Sequence, residues 1–310
     1  MNLQQLEYIV AVDAHRHFAK AANSCFVTQP TLSMMIQKLE EELNIRIFER
    51  SHKPVIPTRE GEEVIRRAQQ ILAEVNHLKE YVTTLKDDIS GSLRIGIIPT
   101  LAPYLLPLFL KSFADAYPKL KLFIQEMITD DILTLLHRGE LDVGLMATPL
   151  HEKNIIEYPL FEEEFFVYVA ENENYPHKKY ILPANINTSK LWLLQEGHCL
   201  RNQILNLCEL KKKEDFVASI HYQAGSIETL INLVDHHGGI TIVPRLATIA
   251  LRTDQKENLR EFDNPKPVRQ ISVVTSKNFP RKRLLEKLRS AIIACVPIVN
   301  DEIGHKIPPR

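Results

Sequence analysis

Along the first sixty residues the apolar positions fall at helical spacing in three short blocks. Leu3, Leu6, Val10 and Ala14 recur at steps of three and four, which predicts a helix over 3–14 with Asn2 as its N-cap. Residues 17–24 predict a second, short helix, in which Ala19, Ala21 and Ala22 let a neighbour pack close. Cys25, Phe26 and Val27 make a turn. Thr28 then caps a third helix, with Gln29 and Pro30 in its first turn, where proline is tolerated. Leu32, Ile36, Leu39 and Leu43 are predicted to face inward, and Asn44 suits the left-handed position that ends a helix. Extended residues Ile45, Ile47 and Phe48, then Val55 and Ile56, flank a polar tip at Ser51, His52, Lys53 and Pro54. Helix, helix, turn, helix and a two-stranded wing make a winged helix-turn-helix, whose last helix enters the major groove of DNA.

The next block keeps a different period. Val64, Ala68, Ile71, Val75, Leu78, Val82 and Leu85 alternate four and three apart behind Thr58, the seam of a coiled coil, and predict a dimerisation helix. A small polar stretch, 87–92, follows as a linker. Strand and helix patterns then alternate: strands at 93–98, 120–127 and 141–146, helices at 103–117 and 130–138. That order predicts a βαβαβ unit with a parallel sheet. Further strands are expected at 155–161, 165–170, 191–194, 218–222, 238–243 and 271–275, and helices at 226–235 and 280–295. This is enough chain for two α/β lobes.

Composition adds limits rather than a partner. Of 310 residues, 45% are hydrophobic and 25% charged, with a net charge of −1, the balance of a globular protein with ample core. Glu7 and Asp13 interrupt the first apolar stretch, so no signal peptide is expected. The longest uncharged apolar run, 95–110, is too short to span a bilayer and holds three prolines. Four scattered cysteines are not a disulfide framework, and a cytoplasmic protein is expected. Within residues 1–60 seven Lys and Arg balance seven Asp and Glu. A lone copy is therefore expected to hold DNA weakly, with several copies acting together.

The DNA-facing side of the third helix would carry Thr28, Gln29, Thr31, Ser33, Met34, Gln37 and Lys38, groups able to read base edges or touch a thymine methyl. Arg50 and Lys53, on the wing with Arg46 and Arg59 nearby, would grip phosphates.

Candidate chemistry lies in the second half. His198, Cys199 and Arg201 are followed by Cys208, on a stretch whose Leu200, Ile204 and Leu207 repeat as a helix. Neighbouring positive charge or a helix N-terminus lowers a thiol pKa, and His198, Arg201 and the helix start could supply both. Nine helical steps separate the thiols by roughly 13 Å, whereas a disulfide needs Cα atoms within about 7 Å. If the two pair, the segment between them must unwind. The plainer alternative is that both are small buried hydrophobes. Thr100 and Thr129 fall between a strand and a helix, where an α/β sheet places its ligand. Arg269 could bring positive charge into the same cleft. Metal binding through His198, Cys199, Cys208 and His236 or His237 is disfavoured, because adjacent His and Cys suit one ion poorly.

The residues at 18–22 (FAKAA), 28–33 (TQPTLS), 39–43 (LEEEL) and 48–50 (FER) resemble the signature of LysR-type transcriptional regulators, and the likeness runs through essentially the whole chain. Residues 196–201 (EGHCLR) with the later Cys208 resemble the hydrogen-peroxide-sensing members of that family. The resemblance implies a winged helix-turn-helix at 1–57, a dimerisation helix and hinge at 58–90, and a redox-sensing domain at 91–310. That last domain would be a two-lobed, periplasmic-binding-protein-like α/β fold, with lobe I about 91–162 and 268–310 and lobe II about 163–267. It also implies that Cys199 is the peroxidatic thiol and Cys208 the resolving one, joined as a disulfide on oxidation. Thr100, Thr129, His198 and Arg269 would bind the peroxide. The partners implied are promoter DNA, a homodimer assembling to a homotetramer, RNA polymerase, and a glutaredoxin- or thioredoxin-like reductant. The protein would be a non-enzymatic activator of oxidative-stress genes, nucleoid-associated in the bacterial cytoplasm, without cofactor or metal. Two other readings stay open: a regulator of the same family that binds a small organic effector with inert cysteines, and a thiol peroxidase.

Overall fold

The computed structural model describes residues 1–84, 89–171, 173, 180–181, 186, 190–195, 198–208, 224–297 and 305–306. It divides into two units, one of Met1–Asp88 with His137–Glu140 and one of Ile89–Leu136 with Leu141–Arg310.

The first unit opens with α1 (Leu3–His15), capped by a reciprocal pair: Gln5 N–H donates to Asn2 Oδ1 and Asn2 N–H to Gln5 Oε1, both at 2.9 Å. Its buried face is Leu6, Tyr8, Ile9 and Val12 rather than the predicted Leu3, Leu6, Val10 and Ala14. Both faces of this helix are apolar, so period alone could not choose. The face with the larger side chains buries more area and wins. His17 caps α2 (Phe18–Ser24), and Thr28 caps α3 (Gln29–Leu43), where Leu32, Ile36 and Leu39 are fully buried. Leu43, expected inside, is 37% exposed. Asn44 turns the chain in the left-handed region (φ 54°), and Ile47 and Phe48 fill the core instead. The wing is β1 (Phe48–Glu49) paired antiparallel with β2 (Ile56–Pro57).

Thr58 Oγ1 accepts from Gly61 N–H at 2.9 Å and donates to Arg46 C=O at 2.6 Å, so it both caps α4 (Arg59–Thr84) and ties it to the wing. Gly61 is required here: a Cβ would sit 2.1 Å from the Ile47 carbonyl oxygen. The first turns of α4 bury Ile65 and Ala68. Of the seven seam positions Ala68 is buried, Val64 and Val75 are half-buried, and Ile71 and Leu78 are exposed by 41% and 64%. Leu85 and the side chain of Val82 lie outside the described residues.

The second unit begins with the expected βαβαβ run: β3 (Gly91–Ile97), α5 (Ala102–Ala116), β4 (Leu120–Glu126), α6 (Thr129–Arg138) and β5 (Val143–Thr148). β3 lies parallel to both β4 and β5. The two strands expected at 155–161 and 165–170 are one, β6 (Ile155–Val169). Its first ten residues pair antiparallel with β10 (Pro267–Ser276), and its last five with β8 (Ile240–Pro244). β9 (Leu259–Phe262) also pairs with that end, and β7 (Tyr180–Ile181) pairs with β9. Residues 191–194, expected as a strand, form only single bridges, Leu191 to Ile240 and Leu194 to Ala224. The strand expected at 218–222 lies outside the described residues.

Helices α7 (Cys199–Leu207), α8 (Ile227–His237) and α11 (Lys282–Cys295) match the pattern. The short α9 (Arg245–Ile249) and α10 (Thr253–Lys256), and β9, were not foreseen, because four or five residues are too few to show a period. β11 (His305–Lys306) adds to β10, and the sheet order is β4-β3-β5-β10-β6-β9-β7. Among the described residues no helix is long and apolar enough to cross a membrane.

Candidate functional site

Four of the predicted groups meet in the second unit. Cys199 is the first residue of α7 and is 6% exposed. Thr129 opens α6, Thr100 precedes α5, and Arg269 stands within β10; all three are buried, Arg269 completely. Arg269 Nη1 donates to Thr100 Oγ1 at 3.1 Å, and Nη2 to the Thr100 carbonyl at 3.2 Å.

Burial pushes the Cys199 thiol up. The Arg269 guanidinium, the Thr129 hydroxyl and the N–H groups of Leu200 and Cys199 itself pull it down, and burial prevails. Two sequence expectations change here. Arg201 does not serve the thiol: its Nη1 donates to the Leu194 carbonyl at 2.8 Å. His198 caps α7 without a side-chain hydrogen bond, and burial lowers its pKa, which favours neutral imidazole over a cation. The positive charge beside the thiol comes instead from Arg269, far along the chain. Among the described residues Thr129 Oγ1 is buried without a hydrogen-bond partner of full geometry, and it stands against the Cys199 thiol.

Cys208 is the C-cap of α7, and burial in apolar surroundings pushes its thiol up to about 12. Both cysteines are free, with the intact helix between them.

The raised Cys199 thiol has a kinetic consequence. Only thiolate attacks a peroxide. The rate of Cys199 oxidation is therefore expected to climb with pH through the neutral range without a plateau, because burial holds the thiol above its ordinary value. Stopped-flow rates across pH 6–9 check this; a plateau at pH 7 would mean that Arg269 and the helix N–H groups outweigh burial.

Three acidic or phenolic groups around the site escaped the sequence reading. Glu163, 1% exposed, pairs with Arg269 at 2.8 Å. Tyr104, on α5, donates to Glu228 on α8 at 2.6 Å. The signal for Glu163 was available: three glutamates, 162–164, stand between the apolar runs of one strand. Among the described residues no cluster of three His, Cys, Asp or Glu could hold a metal ion.

In the first unit the residues expected to face DNA lie mostly at the surface. Thr28, Gln29, Pro30, Thr31, Met34, Gln37 and Lys38 are exposed, and Ser33 is half-buried. Arg50 is partly committed elsewhere: it donates to Glu40 at 3.0 Å and Ser33 at 3.3 Å and lies over the Phe18 ring. Lys53 is exposed at the wing tip.

Comparison with known proteins agrees with both halves. Residues 3–62 match the family described as bacterial regulatory helix-turn-helix protein, lysR family, and residues 86–294 the LysR substrate binding domain. The DNA-binding transcriptional dual regulator OxyR of Escherichia coli K12 is 37% identical over 295 residues, 95% of each chain. The structure of a full-length cysteine-to-aspartate mutant of OxyR from Pseudomonas aeruginosa matches with a TM-score of 0.78 at 32% identity, covering 96% of this chain and 99% of that one. A cysteine-to-serine mutant of OxyR from Corynebacterium glutamicum, solved with hydrogen peroxide bound, matches with a TM-score of 0.62 at 30% identity, covering 95% and 92%. With family models matching both halves and relatives alike along nearly their whole length, this chain belongs to the LysR family of bacterial helix-turn-helix regulators.

Proposed function

We propose that this chain is a peroxide-sensing transcriptional regulator, with Cys199 as the thiol that meets hydrogen peroxide. The observation that carries the reading is the setting of Cys199: first residue of a helix, beside Thr129 and a buried guanidinium that also holds Thr100. Hydrogen peroxide is small and uncharged, so it suits a buried polar niche. Cys199 thiolate attacks one peroxide oxygen, the O–O bond breaks, and hydroxide leaves, taking up a proton to become water. Cys199 becomes a sulfenic acid. Arg269 and the two threonines stabilise charge on the leaving oxygen. The Cys208 thiol then displaces water from the sulfenic acid and forms the disulfide. Because α7 holds the thiols apart, this second step requires that helix to melt.

Residues 1–57 then read promoter DNA, 58–90 pair two copies, and 91–310 sense the oxidant. A homodimer assembling to a homotetramer offsets the balanced charge of one helix-turn-helix. The oxidised form engages RNA polymerase, and a glutaredoxin- or thioredoxin-like reductant resets it in the cytoplasm. The thiol chemistry is stoichiometric signalling rather than turnover, and the protein is not an enzyme.

The pairing has its own test in the exposed seam residue Leu78. Each buried leucine contributes about 2 kcal/mol, and a dimer seam buries two. Leu78→Lys is expected to weaken dimers, and with them operator affinity, on the order of a thousandfold. Sizing and gel shifts measure both; dimers retained at unchanged affinity would remove α4 as the seam.

Peptide mapping tests the reading as a whole. Reduced protein is treated with stoichiometric hydrogen peroxide, free thiols are blocked, and digested peptides are weighed. A crosslinked Cys199–Cys208 peptide is expected. Recovery of both thiols blocked and unoxidised would sink the peroxide reading in favour of an organic effector.

A further inference from the structure

Arg269 can act on Cys199 and Thr100 only if its guanidinium is held in one orientation, and the structure shows what holds it. Glu163 and Arg269 face each other directly across the antiparallel pair of β6 and β10. Both are buried, at 1% and 0% exposure. Arg269 Nε and Nη2 each lie 2.8 Å from Glu163 Oε2, so one edge of the planar fork rests on the carboxylate. The carboxylate is itself fixed: Glu163 Oε1 accepts the N–H of Leu246, in the first turn of α9, at 2.8 Å. The remaining nitrogen, Nη1, is thereby turned to the Thr100 hydroxyl.

We propose that Glu163 is a positioning residue of the peroxide-reducing centre, a buried carboxylate that sets the orientation of Arg269 toward Thr100 and Cys199 while its other oxygen is anchored to the α9 backbone. The proposal rests on the reading of Cys199 as the peroxide-reactive thiol. A carboxamide in place of the carboxylate keeps the shape of the side chain but loses the charge-assisted grip on the fork. Small misplacements of a transition-state group slow a reaction by up to about a hundredfold.

The test is a double-mutant cycle on the full-length chain. Bimolecular rates of Cys199 oxidation by hydrogen peroxide are measured for wild type, Glu163→Gln, Arg269→Gln and the double variant. Thiolate absorbance against pH is recorded for each. Glu163→Gln is expected to slow oxidation by about 10–100-fold, and the double variant to be no slower than Arg269→Gln alone, because Glu163 acts through Arg269. A shift of the thiolate titration too small to account for the lost rate completes the expected result, since a change in thiolate population alone would move the two together. Oxidation of Glu163→Gln at the wild-type rate, or losses that multiply in the double variant, would overturn the assignment. If Glu163→Gln does not fold, Glu163→Asp is measured; it keeps the charge but retracts it by one methylene, and is also expected to lose rate. A wild-type rate there overturns the proposal. Wild-type protein whose Cys199 ignores peroxide would overturn the functional reading and this inference together, whereas a reactive wild type with an unaffected Glu163 variant removes only the positioning role.

Discussion

Cys199→Ser is expected to leave the protein bound to its operator and blind to peroxide. The substitution removes one property while changing little else. A serine hydroxyl occupies nearly the volume of the thiol, can still meet the Thr129 hydroxyl and the Leu200 N–H, and sits at the start of α7, where serine is tolerated. Stability should therefore change by less than about 1 kcal/mol. The hydroxyl does not ionise at neutral pH and is not oxidised by peroxide. The rate of the first step should fall to the background of the remaining thiols. Cys208 does not substitute for it, since burial pushes its thiol up to about 12. A DNA footprint recorded with and without peroxide reads the result: one unchanging footprint in the variant, two in the wild type. A variant footprint that still shifts would take Cys199 out of the mechanism.

Arg269→Met carries the second large effect, in two separable parts. Methionine fills much of the arginine volume but brings no charge to the thiol or to Thr100, and the oxidation rate should fall by about a hundred- to a thousandfold. The same change leaves Glu163 as a carboxylate buried without its cation. Breaking a buried pair from one side costs about 3–5 kcal/mol. Neutralising the carboxylate separates the two: Glu163→Gln combined with Arg269→Met should recover much of the melting temperature and none of the rate. Thermal melts and peroxide kinetics on the single and double variants make the comparison. Recovery of rate together with stability would mean that Arg269 serves the fold alone.

Much of this architecture was legible because long elements show their period. α3, α6, α8 and α11 run ten to fifteen residues, each with a buried stripe that repeats. The N-caps Asn2, Thr28 and Thr58 stood out as polar residues at the head of helical patterns. What escaped were features in which tertiary contact overrides local pattern. Glu162, Glu163 and Glu164 read as a break between two strands, yet the backbone continues through them because Arg269 and the Leu246 N–H receive Glu163. The expected cation at Cys199 was misplaced for a related reason. Arg201 is near in sequence but turns to Leu194, whereas Arg269 arrives from another strand. Nearness along the chain predicts local helix chemistry well and electrostatics across a sheet poorly.

The position of β10 has a consequence for how the protein is made. It lies between β5 and β6 in the sheet, yet it is the next-to-last strand described. Its pairing with β5 joins Thr148 to Gln270. A ribosome adding roughly 5–20 residues per second needs on the order of ten seconds to span that interval. Until then β5 and β6 lack the strand that lies between them, while residues 1–84 have already emerged complete. Arrested nascent chains ending before residue 267 should thus be digested by protease beyond residue 91 and resist it through 1–84. Each newly made copy holds its DNA-reading half before it can hold its sensor.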